Sequence, residues 1–206
     1  MARLAGPLHG ILAGERTALN FLGRMCGVAS WTGRFVEAVA GTGAHIVDTR
    51  KTLPGWRCLD KYAVAVGGGV NHRTGLYDGI LLKDNHVALA GGVALAVKCA
   101  REAAPAHLPI QVEVESEEQA VAAVEAGANF LLLDNRSPKE MRRIAARLAG
   151  RAVLEASGGV VLENVRAIAE SGVQRISIGA LTHSAPAVDV ALEIDSGEAT
   201  PGGVAT

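Results

Sequence analysis

Surplus positive charge is missing from this sequence, which sets 20 Lys and Arg against 21 Asp and Glu in 206 residues. That balance excludes the broad basic surface with which proteins hold nucleic acid or an anionic membrane, so any anion site has to be local. Lysine is scarce: Lys51, Lys61, Lys83, Lys98 and Lys139 are the whole supply, and arginine carries most of the positive charge. Cysteine is scarcer still. Cys26, Cys58 and Cys99 are too few and too widely spaced for a zinc site, and their odd number argues against a disulfide framework. No apolar run approaches the roughly 20 residues of a membrane span. The opening MARLAGPLHGILAGER has no clean apolar core followed by a cleavage signal. A reducing, cytoplasmic setting is the expectation.

Apolar residues make up 49 % of the chain, enough to bury one substantial core. The segment from about Glu15 to Ala40 reads as helical, with Leu19, Leu22, Cys26 and Ala29 spaced to share a face and Gly27 as a candidate break. From Ala44 onward, short apolar runs alternate with helical stretches: AHIVDT, GILLKD, IQVEVE, NFLLLD, AVLEAS and RISIGA are the candidate strands. Ser116 with Gln119, and Ser137 with Glu140 behind Pro138, have capping-box spacing; Gly127, Gly150 and Gly172 fall where helices should stop. The tail from Asp195 to Thr206, DSGEATPGGVAT, reads as a disordered end.

Strand and helix in alternation imply right-handed crossovers and a parallel sheet, either open and doubly wound or closed as a barrel. The polar residues gather where each strand stops, as DTRK, KDNH, VEVE, LDN, EASGG and IGA. In α/β barrels the site is built at those carboxyl ends.

Arg50 and Lys51 are adjacent cations directly after a strand; an anion would relieve their repulsion, although a solvated basic turn is the plainer reading of the segment taken alone. The run Gly67, Gly68, Gly69, Val70, Asn71, His72, Arg73 suits either a flexible hinge or a loop that brings backbone N–H groups and cations to an anion. Arginine forks pair with planar carboxylates, so Arg50 and Arg73 together suit a dicarboxylate. Lys83 ends an apolar strand, where it would be partly desolvated unless paired; a Schiff-base lysine is the competing reading. Glu113 and Asp134 would face Lys83 across the mouth, and two carboxylates with substrate phosphates are a usual way of holding Mg²⁺. Ser157, Gly158 and Gly159, with Gly179 and Ala180, follow the last two strands, where barrels hold phosphate; two tight turns are the plainer reading. His183 reads as a structural histidine rather than a base, and Glu15 and Arg16 as an exposed pair.

Taken in order, GERTALNFLGRMCGVAS, DTRKTLPGWRCLDKYAVAVGGGVNHR, LLKDNH, VEVES, LLLDN, EASGG and IGALTHS resemble the quinolinate phosphoribosyltransferase family from about Gly6 to Ile194. The resemblance implies an α/β fold, an atypical or incomplete parallel β/α barrel of about six strands preceded by a helical segment. It implies three regions: 1–13 as a linker from an additional N-terminal domain, 14–194 as the barrel with its leading helix, and 195–206 as tail. The implied substrates are quinolinate and phosphoribosyl pyrophosphate, with Mg²⁺, and the implied products are nicotinate mononucleotide, pyrophosphate and carbon dioxide. By the same resemblance Arg50, His72 and Arg73 bind the quinolinate carboxylates, and Arg16 enters from a partner subunit of a homodimer. Lys51 and Lys83 face phosphates and ribose, Glu113 and Asp134 hold the metal and ribose hydroxyls, and Ser157, Gly158, Gly159, Gly179 and Ala180 surround the 5′-phosphate. Family members carry that further domain, so the chain is expected to fold yet to turn over poorly alone. The rival readings are a related pyrophosphorylase with another acceptor, of the molybdenum-operon type, a Schiff-base lyase, and a catalytically weak binding or assembly subunit.

Overall fold

The computed structural model describes residues 2–194, and the Asp195–Thr206 tail lies outside the described residues. Each apolar run becomes a strand. These are β1 (His45–Val47), β2 (Ile80–Leu82), β3 (Ile110–Glu113), β4 (Phe130–Asp134), β5 (Val153–Ser157) and β6 (Arg175–Ser177). The helices are α1 (Leu8–Ala38), α2 (Arg57–Val66), α3 (Asp84–Ala90), α4 (Val93–Ala103), α5 (Glu117–Glu125), α6 (Pro138–Leu148), α7 (Leu162–Ala169) and the single turn α8 (Ala180–His183).

All strand pairs are parallel, in the order β1-β6-β5-β4-β3-β2. The first strand therefore pairs with the last, through Ile46 and Ile176. This is the strand order of a barrel in which the hydrogen bonds between β1 and β2 are missing, the incomplete barrel expected. A single bridge from Val47 to Val70 lies on the free side of β1.

Side chains alternate across a strand, and here the two sets differ in kind. Ile110, Val112, Leu131, Leu133, Leu154, Ala156 and Ile176 pack against the helices, with Val97, Ala120, Met141, Ile144, Leu148 and Val165, in one apolar core. The other set is largely polar, with Gln111 and Glu113, Asp134, Glu155 and Ser157, Arg175 and Ser177 beside the apolar Leu81, Phe130 and Leu132. In closed barrels that interior is filled with branched apolar side chains. Here it holds charge, which confines the apolar core to the layer between sheet and helices.

Helix ends follow the local signals. Ser137 Oγ accepts from Glu140 N, and Glu140 returns the bond from the Ser137 N–H. Ser116 Oγ accepts from Gln119 N, but the Gln119 side chain reaches the Glu115 N–H instead of that of Ser116, so only half the expected box forms.

The long first helix departs from expectation. It begins at Leu8 and runs unbroken through Gly27, and its buried residues are Gly23, Gly27, Val28, Thr32 and Phe35, while Leu22 is exposed. The glycines are there for proximity rather than flexibility. The chain after α8 crosses α1 at this point: a Cβ on Gly23 would stand 2.7 Å from Val188 O, and one on Gly27 would overlap the Pro186 carbonyl. The Val188 N–H donates to Gly23 O at 3.0 Å.

Candidate active site

The carboxyl end of β1 delivers Asp48, wholly buried, followed by Thr49, Arg50 and Lys51. A buried carboxylate requires partners. Lys61 Nζ on α2 donates to Asp48 Oδ1 at 2.5 Å and to His72 O at 2.9 Å, and the His72 N–H donates to Asp48 Oδ1 at 2.7 Å. With its amide turned to satisfy both partners, Asn71 adds a bond to Asp48 Oδ2 at 2.7 Å. The asparagine–histidine–arginine loop is thereby latched to the end of β1. Burial raises the Asp48 pKa, and the charge and hydrogen bond of Lys61 oppose this without reversing it.

Two more α2 residues shape the cationic turn. The Leu53 N–H donates to Asp60 Oδ2 at 3.3 Å, and Arg57 bonds Thr52 Oγ1, Arg50 O and Thr74 O, tying the Arg50 turn to the loop after Arg73. Thr182 Oγ1 donates to Lys51 O at 2.7 Å. Arg73 Nη1 donates to Gly79 O at 2.9 Å. The Arg73 guanidinium pKa is lowered first by burial and then by the like charge of Arg50, with Asp78 pulling the other way. Two guanidinium groups that feel one another's charge at one cavity wall have the donor geometry that suits a planar anion.

Across the sheet, β3 and β4 present Glu113 and Asp134. Burial, then the charge of Asp134, raise the Glu113 pKa; Lys83 opposes them, and Asp84 and Glu115 reinforce them. A hard cation between these oxygens would relieve the repulsion. Among the described residues no group of three or more His, Cys, Asp or Glu is placed to hold a metal ion. The pair therefore fits Mg²⁺ only in the mode where one or two carboxylates bind it and phosphate and water oxygens complete the shell.

Beyond β5 the chain turns through Gly158 and Gly159, both at positive φ, and a Cβ on Gly158 would overlap the Asn135 side chain. Beyond β6, a Cβ on Gly179 would meet Lys51 Cδ at 3.0 Å and His183 Nε2 at 3.1 Å. Glycine here lets the Lys51 stem and the last turn close on one another.

The strand-end groups meet in one cavity of about 890 Å³, within the range of roughly 300–1,000 Å³ typical of small-molecule sites, while Asp48, Arg57, Asp60 and Lys61 support it from behind. Arg50, Lys51, His72, Arg73, Lys83, Glu113, Asp134, Ser157, Gly158, Gly159, Gly179 and Ala180 all contribute to it. Arg16 does not: it is exposed on α1, outside the lining. Lys83 was expected to be partly desolvated, yet it is exposed, because β2 is the sheet's free edge and Lys83 stands at the open rim as the N-cap of α3. His183 lines the cavity and pairs with Ser184 Oγ at 2.6 Å.

Nothing in the strand-end motifs by themselves assigns a role to Glu155, Asp48 or Lys61. Glu155 is 1 % exposed at the floor of the cavity, 3.3 Å from His72 Nε2 and 3.1 Å from Arg175 Nε. A charged residue inside VLEAS was the available signal, since a carboxylate in a buried strand must find partners.

An incomplete parallel β/α barrel with cations, a carboxylate pair and glycine turns at the strand ends defines an α/β-barrel protein with a charged mouth at the carboxyl ends of its strands. Comparison narrows this further. Residues 28–193 match the family described as quinolinate phosphoribosyl transferase, C-terminal domain, and the chain belongs to that family. It is 45 % identical to the probable nicotinate-nucleotide pyrophosphorylase [carboxylating] of Bacillus subtilis, over 94 % of this chain and 67 % of that protein. It is 44 % identical to the human nicotinate-nucleotide pyrophosphorylase [carboxylating], over 98 % and 69 %. The crystal structure of NadC from Streptococcus pyogenes superposes with a TM-score of 0.86 at 42 % identity, covering 89 % of this chain and 65 % of that one. The chain thus spans about two thirds of the length of these relatives. No helix among the described residues is long and apolar enough to cross a membrane.

Proposed function

We propose that the chain carries the site for decarboxylating phosphoribosyl transfer, in which phosphoribosyl pyrophosphate and quinolinate give nicotinate mononucleotide, pyrophosphate and carbon dioxide in a cytoplasmic route to NAD. The observation that carries this reading is the division of one cavity: paired arginines on one side, paired carboxylates on the other, glycine turns between them.

Arg50 and Arg73 hold the quinolinate carboxylates, and the forks orient the pyridine nitrogen toward the ribose. The turns at Ser157, Gly158 and Gly159, and at Gly179 and Ala180, take the 5′-phosphate by backbone N–H groups. Lys51, beside Gly179, and Lys83, on the opposite rim, meet the phosphates. Glu113 and Asp134 would hold Mg²⁺ and ribose hydroxyls, and the ion would supply charge neutralisation for the pyrophosphate leaving group. Little covalent work falls to the protein, so positioning and charge stabilisation supply the catalysis. A monocarboxylate acceptor would leave part of the arginine pair unpaired, which gives the selectivity. Arg16, exposed on α1, serves the cavity of a second copy in a homodimer.

Carbon dioxide release from carboxyl-labelled quinolinate is the test. Release that depends on phosphoribosyl pyrophosphate and Mg²⁺ is expected; no release with both present, or equal release without phosphoribosyl pyrophosphate, overturns the reading.

A further inference from the structure

His72 lies at the cavity wall beside Arg73, where a dicarboxylate site suggests a direct ligand. Its hydrogen bonds point elsewhere. The backbone N–H of Arg73 donates to His72 Nδ1 at 2.7 Å, and a backbone amide can only donate, so Nδ1 carries the lone pair. The ring proton then sits on Nε2, which faces Gln111 Oε1 at 2.9 Å and Glu155 Oε1 at 3.3 Å, both acceptors. Gln111 and Glu155 are 6 % and 1 % exposed. The Gln111 oxygen is turned to this N–H, while the Gln111 Nε2 has no partner among the described residues. The His72 main chain is held as well, by Asp48 at its N–H and by Lys61 at its carbonyl. Every polar atom of His72 is engaged within the protein.

We infer that His72 is a positioning residue: its Nδ1 accepts the Arg73 backbone N–H and so presents the Arg73 fork to the dicarboxylate, while Gln111 and Glu155 beneath it fix the ring. A ring N–H offered to substrate would have to leave two buried acceptors, one of them charged, and uncapping Nδ1 would free the backbone that carries Arg73. Leaving a buried acceptor unpaired costs more than a surface contact returns. The charged groups around the ring are Glu155 and Arg175 from the sheet, Asp48 from β1, Lys61 from α2, and Arg50 and Arg73 from the rim. The inference rests on the dicarboxylate reading above.

Two measurements on the intact chain test it. In the first, ring ¹⁵N shifts of His72 report the tautomer without ligand. A protonated Nε2 with a bare Nδ1 is expected; a protonated Nδ1 overturns the inference, whatever the protein does with substrate. In the second, quinolinate is titrated calorimetrically into the wild type, His72→Asn and His72→Gln. An asparagine oxygen falls near the Nδ1 position and keeps an acceptor for the Arg73 N–H, whereas glutamine reaches toward the Nε2 position. Affinity is expected to stay within about threefold in His72→Asn and to fall about tenfold or more in His72→Gln, the cost of leaving the Arg73 backbone donor without its acceptor. The reverse order overturns the inference and makes the ring a direct ligand. A wild type that binds no quinolinate overturns the functional reading instead, and the tautomer still decides the role of the ring.

Discussion

Burial and then the charge of Arg50 lower the Arg73 pKa, and an anion held between the two forks would relieve that repulsion. Removing one fork should therefore act on one substrate. Arg73→Ala is expected to weaken quinolinate binding roughly ten- to hundredfold, the weight of a charge-assisted pair, and to leave phosphoribosyl pyrophosphate binding nearly unchanged. Calorimetry showing equal losses for both would reject the assignment. The carboxylate pair makes an opposite demand. Because Asp134 raises the Glu113 pKa, Asp134→Asn should relieve repulsion and give a melting temperature equal to or above that of the wild type, while raising the Mg²⁺ concentration needed for activity. A lowered melting temperature with an unmoved metal titration would show that the two groups are structural partners. Both acids were legible from their places at strand ends. Lys61 was not, because its significance lies in Asp48, a partner that only folding brings within reach.

At the scale of elements, α1 and α2 work differently. α2 is an organiser: Arg57, Asp60 and Lys61 on one turn bind both cationic loops, so the geometry of the arginine pair is set from outside the cavity. α1 is a packing surface whose small residues admit the crossing chain. Two glycines in the same helix should thus respond in opposite directions. Gly27→Ala forces the Pro186 backbone to move and is expected to cost about 1–3 kcal/mol, the usual penalty of overpacking. Gly14→Ala places its Cβ in open space within the helix and should stabilise by about 0.5–1 kcal/mol. Denaturant midpoints read both; a neutral Gly27→Ala would mean that the crossing does not exist in solution. A sequence reading takes Gly27 for a break because helix propensity is local, whereas close approach depends on a segment more than 150 positions along the chain.

For the molecule as a whole, the polar barrel interior makes stability depend on pH. Burial alone would raise the Glu155 pKa, but the hydrogen bond from His72, the charge of Arg175 and the Ser177 hydroxyl hold it below the ordinary 4.5. A carboxylate depressed on folding contributes stability that is full above its unfolded value and is lost as the pH falls through its folded value. Wild type is therefore expected to lose stability below about pH 4.5. Glu155→Gln, which has no charge to titrate, should be less stable near neutrality and should approach the wild type on acidification. Urea melts of both proteins from about pH 7 to about pH 3 measure the difference; a gap that stays constant with pH would remove Glu155 from the linkage.

The sequence by itself determined where the strands lie, which residues stand at their ends, and that these residues suit phosphate, carboxylate and a hard cation. Periodicity and strand-end chemistry are written in adjacent residues, and the motif order was enough to indicate the family. Only the tertiary structure decided which ends are neighbours. Pairing β1 with β6 rather than β2 brings Lys51 against Gly179, leaves Lys83 exposed at the free rim and places the Arg73 loop beside β1. It also placed the buried Gln111 and Glu155, with the half-buried Arg175 behind them, beneath His72, so that a residue expected at the ligand is instead inferred to hold its neighbour. Those outcomes depend on burial and on contacts between distant segments, and a carboxylate or imidazole takes its role from the groups that replace its water.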